Sequence, residues 1–386
     1  MDESIGRAGR WRTWPTRLSL SESSIYDPPP FICHNRATIS SHPCYDIVFC
    51  MRFLSYEDLI FTHWYKIKVD VESSPVDDEI PEIRPFWEGD VPFRSSFAAV
   101  GDFIYRLGGF VRSISYGLRP SRRGDAAYLN DVYKFCIGRR PQDQDGWFQA
   151  PSMLFRRSEA HTFVLDGKIY VVSGHDRKRP GAAGVEVYEP TTGKWKALPD
   201  LPSPMGCRSI CAALENPSRI FVAFRTDTYP EKCVTSEFYQ YDVREDCWKS
   251  LDNRKMHFMC PLGDGGGNAV TAGNTLYWLI DNNRTLLAYD VDHNVWLLGS
   301  LIAIAGITRP FLFIHLEEQR FCILQHSFDD NFEVQCVIIE VYPNPTNKLL
   351  DDVYRNPGDK SLKISVVSVH TYKTQGSARI TDCFLL

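Results

Sequence analysis

Phe163-Val-Leu-Asp-Gly-Lys-Ile-Tyr-Val-Val-Ser-Gly174 is the stretch on which the fold turns. Two apolar runs flank Asp166-Gly167, a dipeptide whose backbone preferences suit a two-residue hairpin turn. Both runs are apolar on both faces, the pattern of strands covered by neighbouring sheets on each side. Downstream, Val185–Glu189 reads as a third strand, Pro190-Thr-Thr-Gly193 as a turn, and a fourth strand starts near Trp195. The unit is therefore a four-stranded antiparallel meander of about 50 residues.

The unit repeats. Ala98-Ala-Val-Gly-Asp-Phe-Ile-Tyr-Arg-Leu-Gly-Gly109 and Val270-Thr-Ala-Gly-Asn-Thr-Leu-Tyr-Trp278 have the same shape. Looser copies begin at Ala212 and Phe311. Trp147, Trp195, Trp248 and Trp296 are spaced by 48, 53 and 48 residues. Tyr188, Tyr241 and Tyr289 each stand seven residues before one of them. A fixed period in this range marks repeats that bury their faces against one another.

Leu165 to Gly174, then Val185-Glu-Val-Tyr188, then Trp195 resemble a kelch repeat, which carries a Gly-Gly pair after its second strand and a spaced Tyr and Trp. Gly108-Gly109 matches that pair in full, Ser173-Gly174 keeps one glycine, and the units around Val222 and Trp278 have lost both. The resemblance implies an all-β fold, a kelch-type β-propeller of four-stranded blades. Blades are expected at about 94–153, 158–201, 206–252, 266–301 and 308–372. A sixth is built from Tyr45–Phe53, His63–Val71 and the segment reaching Trp87. Six blades are expected, with five or seven as the alternatives. Closure should pair N- and C-terminal strands in one blade, because an open ring leaves sheet edges unpaired. Residues 1–40 lack periodicity and read as a disordered segment, 41–372 as the propeller and 373–386 as a C-terminal tail.

Composition restricts the function. The formal net charge is −5, against the basic balance of a nucleic-acid binder. No apolar run approaches the ~18 residues of a membrane helix. Twelve cysteines include no C-x-x-C pair, so buried, reduced thiols are expected, as is a cytoplasmic or nuclear location. No set of His, Cys and carboxylates has metal-ligand spacing, G-x-S-x-G is missing, and Gly263-Asp-Gly-Gly-Gly-Asn268 has no following Lys-Ser/Thr to make a phosphate loop. No cofactor, metal or catalytic residue is expected. His161 falls in a first strand, which lines a propeller's channel, and reads as a packed, hydrogen-bonded residue.

One constellation points to binding. Arg94, Glu159 and Arg208 occupy the same register just before a first strand, Arg157 lies two residues before Glu159, and Arg309 sits near the corresponding place in the last blade. In a closed ring these positions converge on one mouth of the channel, where guanidinium forks would meet carboxylates or phosphates of a partner. The alternative is that each arginine is solvated or paired with a neighbour such as Glu159. The basic loop 112–127, with Arg122 and Arg123, is a second candidate contact. The similarity to plant F-box/kelch-repeat proteins implies a protein-binding platform, with ubiquitin-ligase substrate recruitment as the family role, although the first 40 residues carry no F-box-like helical pattern. The other class is a small-molecule or carbohydrate-binding or enzymatic propeller, like the central domain of galactose oxidase.

Overall fold

The computed structural model describes residues 43–53, 60–71, 80–112, 126–138, 146–174, 184–202, 209–228, 233–251, 269–280, 285–293, 295–301, 311–327, 332–343, 362–376 and 378–386. Among them every regular element is a strand. The chain opens with β1 (Cys44–Phe53), β2 (Ile60–Asp70) and β3 (Trp87–Val91). Blade 2 follows with β4 (Ser96–Val100), β5 (Phe103–Leu107), a small hairpin of β6 (Phe110–Arg112) and β7 (Ala126–Tyr128), then β8 (Val132–Cys136) and β9 (Trp147–Ala150). Blade 3 is β10 (His161–Leu165), β11 (Lys168–Val172), β12 (Val185–Glu189) and β13 (Lys194–Leu198). Blade 4 is β14 (Ser209–Leu214), β15 (Arg219–Thr228), β16 (Cys233–Asp242) and β17 (Cys247–Ser250). Blade 5 is β18 (Val270–Ala272), β19 (Thr275–Ile280), β20 (Thr285–Asp290) and β21 (Val295–Ser300). Blade 6 is β22 (Phe311–Glu317), β23 (Arg320–His326), β24 (Glu333–Pro343) and β25 (Leu362–Lys373), and the last strand is β26 (Arg379–Leu385).

The sheets are six blades in a ring. Four sheets run β26-β1-β2-β3, β4-β5-β8-β9, β10-β11-β12-β13 and β14-β15-β16-β17. Blades 5 and 6 form one eight-stranded sheet joined through a parallel pairing at Gly299 and Leu362. The innermost strands touch in cyclic order β26, β4, β10, β14, β18, β22 and back to β26. Residues 373–386 are thus no tail. Arg379–Leu385 is the innermost strand of blade 1, antiparallel to β1 from Ile47↔Leu385 to Arg52↔Arg379. Without it β1 would present an unpaired inner edge, which closure removes.

The apolar core is divided among the six inter-blade walls. Phe49, Tyr65, Cys322, Cys336 and Ile380 lie between blades 6 and 1, and Val48, Trp64, Phe97 and Ile104 between blades 1 and 2. Tyr105, Val132, Ile169 and Tyr188 fill the next wall, and Leu165, Val172, Val222 and Tyr241 the one after. Trp278, Tyr289 and Trp296 stand between blades 4 and 5, and Leu279, Phe321, Ile323 and Val337 between blades 5 and 6. The seven-residue Tyr–Trp spacing is a cross-strand pair closed by the turn between strands three and four. Tyr188 faces Trp195, Tyr241 faces Trp248 and Tyr289 faces Trp296, with ring centroids 4.9, 5.2 and 4.8 Å apart. Opposed aromatics are favourable cross-strand partners. Two of the indoles also stitch blades together: Trp195 Nε1 donates to Pro151 O and Trp248 Nε1 to Pro199 O, both at 2.8 Å.

The Gly-Gly pair serves the links between blades. Gly108 and Gly109 have φ of +55° and +101°, conformations that a Cβ disfavours. A Cβ on Gly108 would meet the backbone oxygen of Arg157, in the link to blade 3. One on Gly109 would lie 2.5 Å from Ser95 Oγ and 3.0 Å from Phe93 O, in the link from blade 1. The pair lets both links pass beside the exit of β5, and Gly109 N–H donates to Arg157 O at 2.9 Å.

Candidate functional site

The first strands of the blades begin, and the second strands end, on one face of the ring. Arg94 and Glu159 stand two residues before β4 and β10. The register places them together, as the sequence suggests: the Glu159 N–H donates to Arg94 O at 3.0 Å, and Arg94 Nη1 lies 2.6 Å from Glu159 Oε2. Arg94 also lies 5.3 Å over the Phe93 ring, which packs edge-on against Phe110. Both Arg94 and Glu159 sit in the left-handed region, at φ of +56° and +53°. Such a conformation costs a residue with a Cβ roughly 1–2 kcal/mol. The ion pair between side chains 46% and 39% exposed returns about 0–1 kcal/mol. Asp166, Ser173, Asp246 and Glu318 adopt the same region elsewhere in the ring, and at Arg94 and Glu159 it directs the two side chains toward each other across neighbouring blades.

Arg157 is placed differently from the sequence expectation. It is 4% exposed, and its guanidinium is turned into the wall of blade 3. Nη1 donates to Ser173 O and Gly184 O, and Nη2 to Glu186 Oε1, each at 2.7 Å. Glu186 also accepts from the Leu154 N–H at 2.7 Å. Arg157 thus clamps the blade 2–3 link and is not offered to a partner, because two carbonyls and a buried carboxylate occupy both terminal nitrogens. Arg208, Arg309, Arg122 and Arg123 lie outside the described residues.

Inside the channel wall His161 Nε2 lies 2.8 Å from Ser209 Oγ, linking β10 to β14. The geometry resembles a nucleophile and its base. Burial, however, pushes the His161 imidazole down to about 4, too weak a base to accept a serine proton effectively near neutrality. Among the described residues no carboxylate orients the ring. The pair acts as an inter-blade tie, beside Ser96 Oγ donating to Ala160 O at 2.8 Å and Thr162 Oγ1 to Phe97 O at 2.6 Å. Among the described residues no group of three or more His, Cys, Asp and Glu is arranged to hold a metal.

The kelch motif model matches residues 156–202, the segment that carries Arg157, blade 3 and its Tyr188–Trp195 pair. Blade 3 is a kelch repeat. Similar proteins come from Arabidopsis thaliana. A putative F-box/kelch-repeat protein is 25% identical over 248 residues, covering 61% of this chain and 56% of the relative. An F-box/kelch-repeat protein is 24% identical over 266 residues, covering 68% and 60%. Another is 39% identical over 162 residues, covering 40% and 34%. The chain therefore spans little more than half the length of the first two. Kelch repeats and these relatives support a protein-interaction propeller.

Sequence reasoning missed Arg106 and Arg52. Both lie inside apolar strands, in Phe103-Ile-Tyr-Arg-Leu107 and Cys50-Met-Arg-Phe53, where flanking residues dominate the pattern. The available signal was a charge at a position that is apolar in other copies of the repeat.

Proposed function

We propose that this kelch propeller captures a partner protein on the face where the inner-strand lead-ins converge, and that Arg94 and Glu159 are contact residues there. The observation that supports this reading is the pair of exposed, non-glycine residues in left-handed conformations, joined at 2.6 Å. The cross-blade ion pair and the turned backbone hold both side chains on the lead-in face, which fits side chains displayed to a partner. An exposed guanidinium and a carboxylate side by side suit a partner of mixed charge that can exchange ion pairs with both. The kelch relatives suggest substrate recruitment for a ubiquitin ligase as the setting, in the cytoplasm or nucleus.

The test uses Arg94→Gly and Glu159→Gly together. Glycine adopts both φ values without penalty, so folding should be kept. Quantitative affinity purification with mass spectrometry should then show a stoichiometric partner of the wild-type chain depleted at least tenfold with the variant. Equal recovery of every wild-type partner by a folded variant would remove these residues from the contact.

A further inference from the structure

In five blades a hairpin joins the first two strands, and the residue three places after the start of strand two can be compared directly. It is Val171 in blade 3, Val222 in blade 4, Trp278 in blade 5 and Ile323 in blade 6. Each is buried in an apolar inter-blade wall. In blade 2 the same position holds Arg106, which is 5% exposed. It points toward blade 1, because side chains two apart on a strand share a face and Ile104 packs there with Val48, Cys50 and Trp64. Its cross-strand neighbour Phe97 belongs to the same wall.

Other buried arginines have a counter-charge. Arg157 has Glu186 at 2.7 Å, and Arg219 has Asp292 at 3.0 Å. Arg52, across the same wall from Arg106, lies 5.4 Å over the Phe97 ring and is held by Asp382 at 3.0 Å and by Ser95 O at 3.2 Å. Arg106 has the face of Tyr133 at 4.6 Å, and among the described residues its Nη1 has no hydrogen-bond partner, as Nε has none in Arg52 and Arg157. Among the described residues no Asp or Glu comes within ion-pair distance of it, and the charge of Asp131 supports it only from farther away. Burial lowers its pKa to about 10, which still leaves it charged at neutrality. A ring face returns only part of the desolvation penalty of a buried ion. A valine or isoleucine would fill the position without that penalty, as the other blades show. The described residues therefore match this cation less closely than they match Arg52, Arg157 and Arg219.

We propose that Arg106 is the receptor for an oxyanion, a carboxylate or a phosphate, seated between blades 1 and 2 beside the Gly108-Gly109 exit. The planar guanidinium suits two-point capture of such a group. The site is distinct from the Arg94–Glu159 contact and does not depend on it.

The experiment uses the full chain and the Arg106→Met variant, with ionic strength held constant by sodium chloride. Sodium phosphate and sodium acetate are titrated separately while thermal unfolding is followed, and the phosphorus-31 line width of inorganic phosphate is recorded. Phosphate or acetate should raise the wild-type Tm saturably by about 2–4 °C and leave Arg106→Met unmoved. Phosphate alone acting assigns the site to phosphates and acetate alone to carboxylates. Where phosphate binds, its resonance should broaden with wild type only. Arg106→Lys, which keeps the charge but loses the fork, should weaken the apparent affinity by about tenfold and serves if the methionine variant does not fold. A wild-type Tm indifferent to both anions, or one moving in parallel with the variant's, overturns the proposal.

Discussion

Replacing Arg157 by methionine removes one guanidinium that holds three groups. The backbone oxygens of Ser173 and Gly184 lose their 2.7 Å donors, and Glu186 loses its counter-ion. The Glu186 side chain is fully buried, and burial already pushes its carboxyl above the usual range even with Arg157 beside it. Without the arginine it keeps the Leu154 N–H at 2.7 Å as a donor but loses its ion-pair partner. Breaking a buried pair in this way costs about 3–5 kcal/mol. The pH dependence has a definite sign. A carboxyl whose folded pKa is raised burdens the folded state only when the unfolded chain would ionise it. The penalty is therefore absent below the ordinary carboxylate pKa near 4.5 and grows as pH rises through the folded value. Urea unfolding followed by tryptophan fluorescence, with Trp195 in the same blade, should show the full loss at about pH 7.5 and a smaller one at about pH 4.5. Adding Glu186→Gln should recover part of it, since the two stranded carbonyls remain but the buried charge does not. A loss under about 1 kcal/mol, an equal loss at both pH values, or a double variant no better than the single would refute this account of the clamp.

Two further tests address the backbone and the channel. Gly108→Ala adds left-handed strain and a methyl that overlaps the Arg157 carbonyl, whereas Gly167→Ala at φ +69° has open space around its Cβ. Thermal unfolding should show losses of about 3 kcal/mol or more for the first and about 1 kcal/mol for the second; equal losses would remove the link-passing role of the Gly-Gly pair. His161, held down to about 4 by burial, stays neutral in the folded state while the unfolded chain takes up a proton near 6.5. Stability attributable to it is therefore complete above about pH 6.5 and falls by up to about 3 kcal/mol toward pH 4. His161→Gln should flatten that limb of the pH–stability curve, and an unchanged limb would show that the acid sensitivity arises elsewhere.

Much of this fold was legible because a propeller repeats its local chemistry. The Asp166-Gly167 turn and the Tyr188–Trp195 spacing each report a contact between strands adjacent in sequence, so short-range signals sufficed. The juxtaposition of Arg94 and Glu159, 65 residues apart, followed from register alone, since equivalent positions in neighbouring blades must meet around the ring. Arg379–Leu385 escaped because its partner β1 begins at Cys44 and no turn near the strand reveals the pairing. Arg157 was misjudged as a surface group, the usual place for arginine, because the carboxylate that holds it, Glu186, comes 29 residues later on β12.

The blades that lost the glycine pair show what the motif controls. In blade 4, Ala223-Phe224-Arg225 stands where blade 2 turns out at Leu107-Gly-Gly109. No left-handed exit forms there, and β15 continues to Thr228, pairing with β16 from Arg219↔Asp242 to Thr228↔Cys233. Blade 2 does the opposite: β5 stops at Leu107, and the chain turns out past both links into the β6–β7 hairpin. Both blades keep an inner four-stranded sheet and bury apolar side chains against a neighbouring blade. Losing Gly-Gly therefore changes the connection displayed on the lead-in face while leaving the blade intact. The exit that changes with Gly-Gly lies on the face where Arg94 and Glu159 meet, which fits a face on which partners are distinguished.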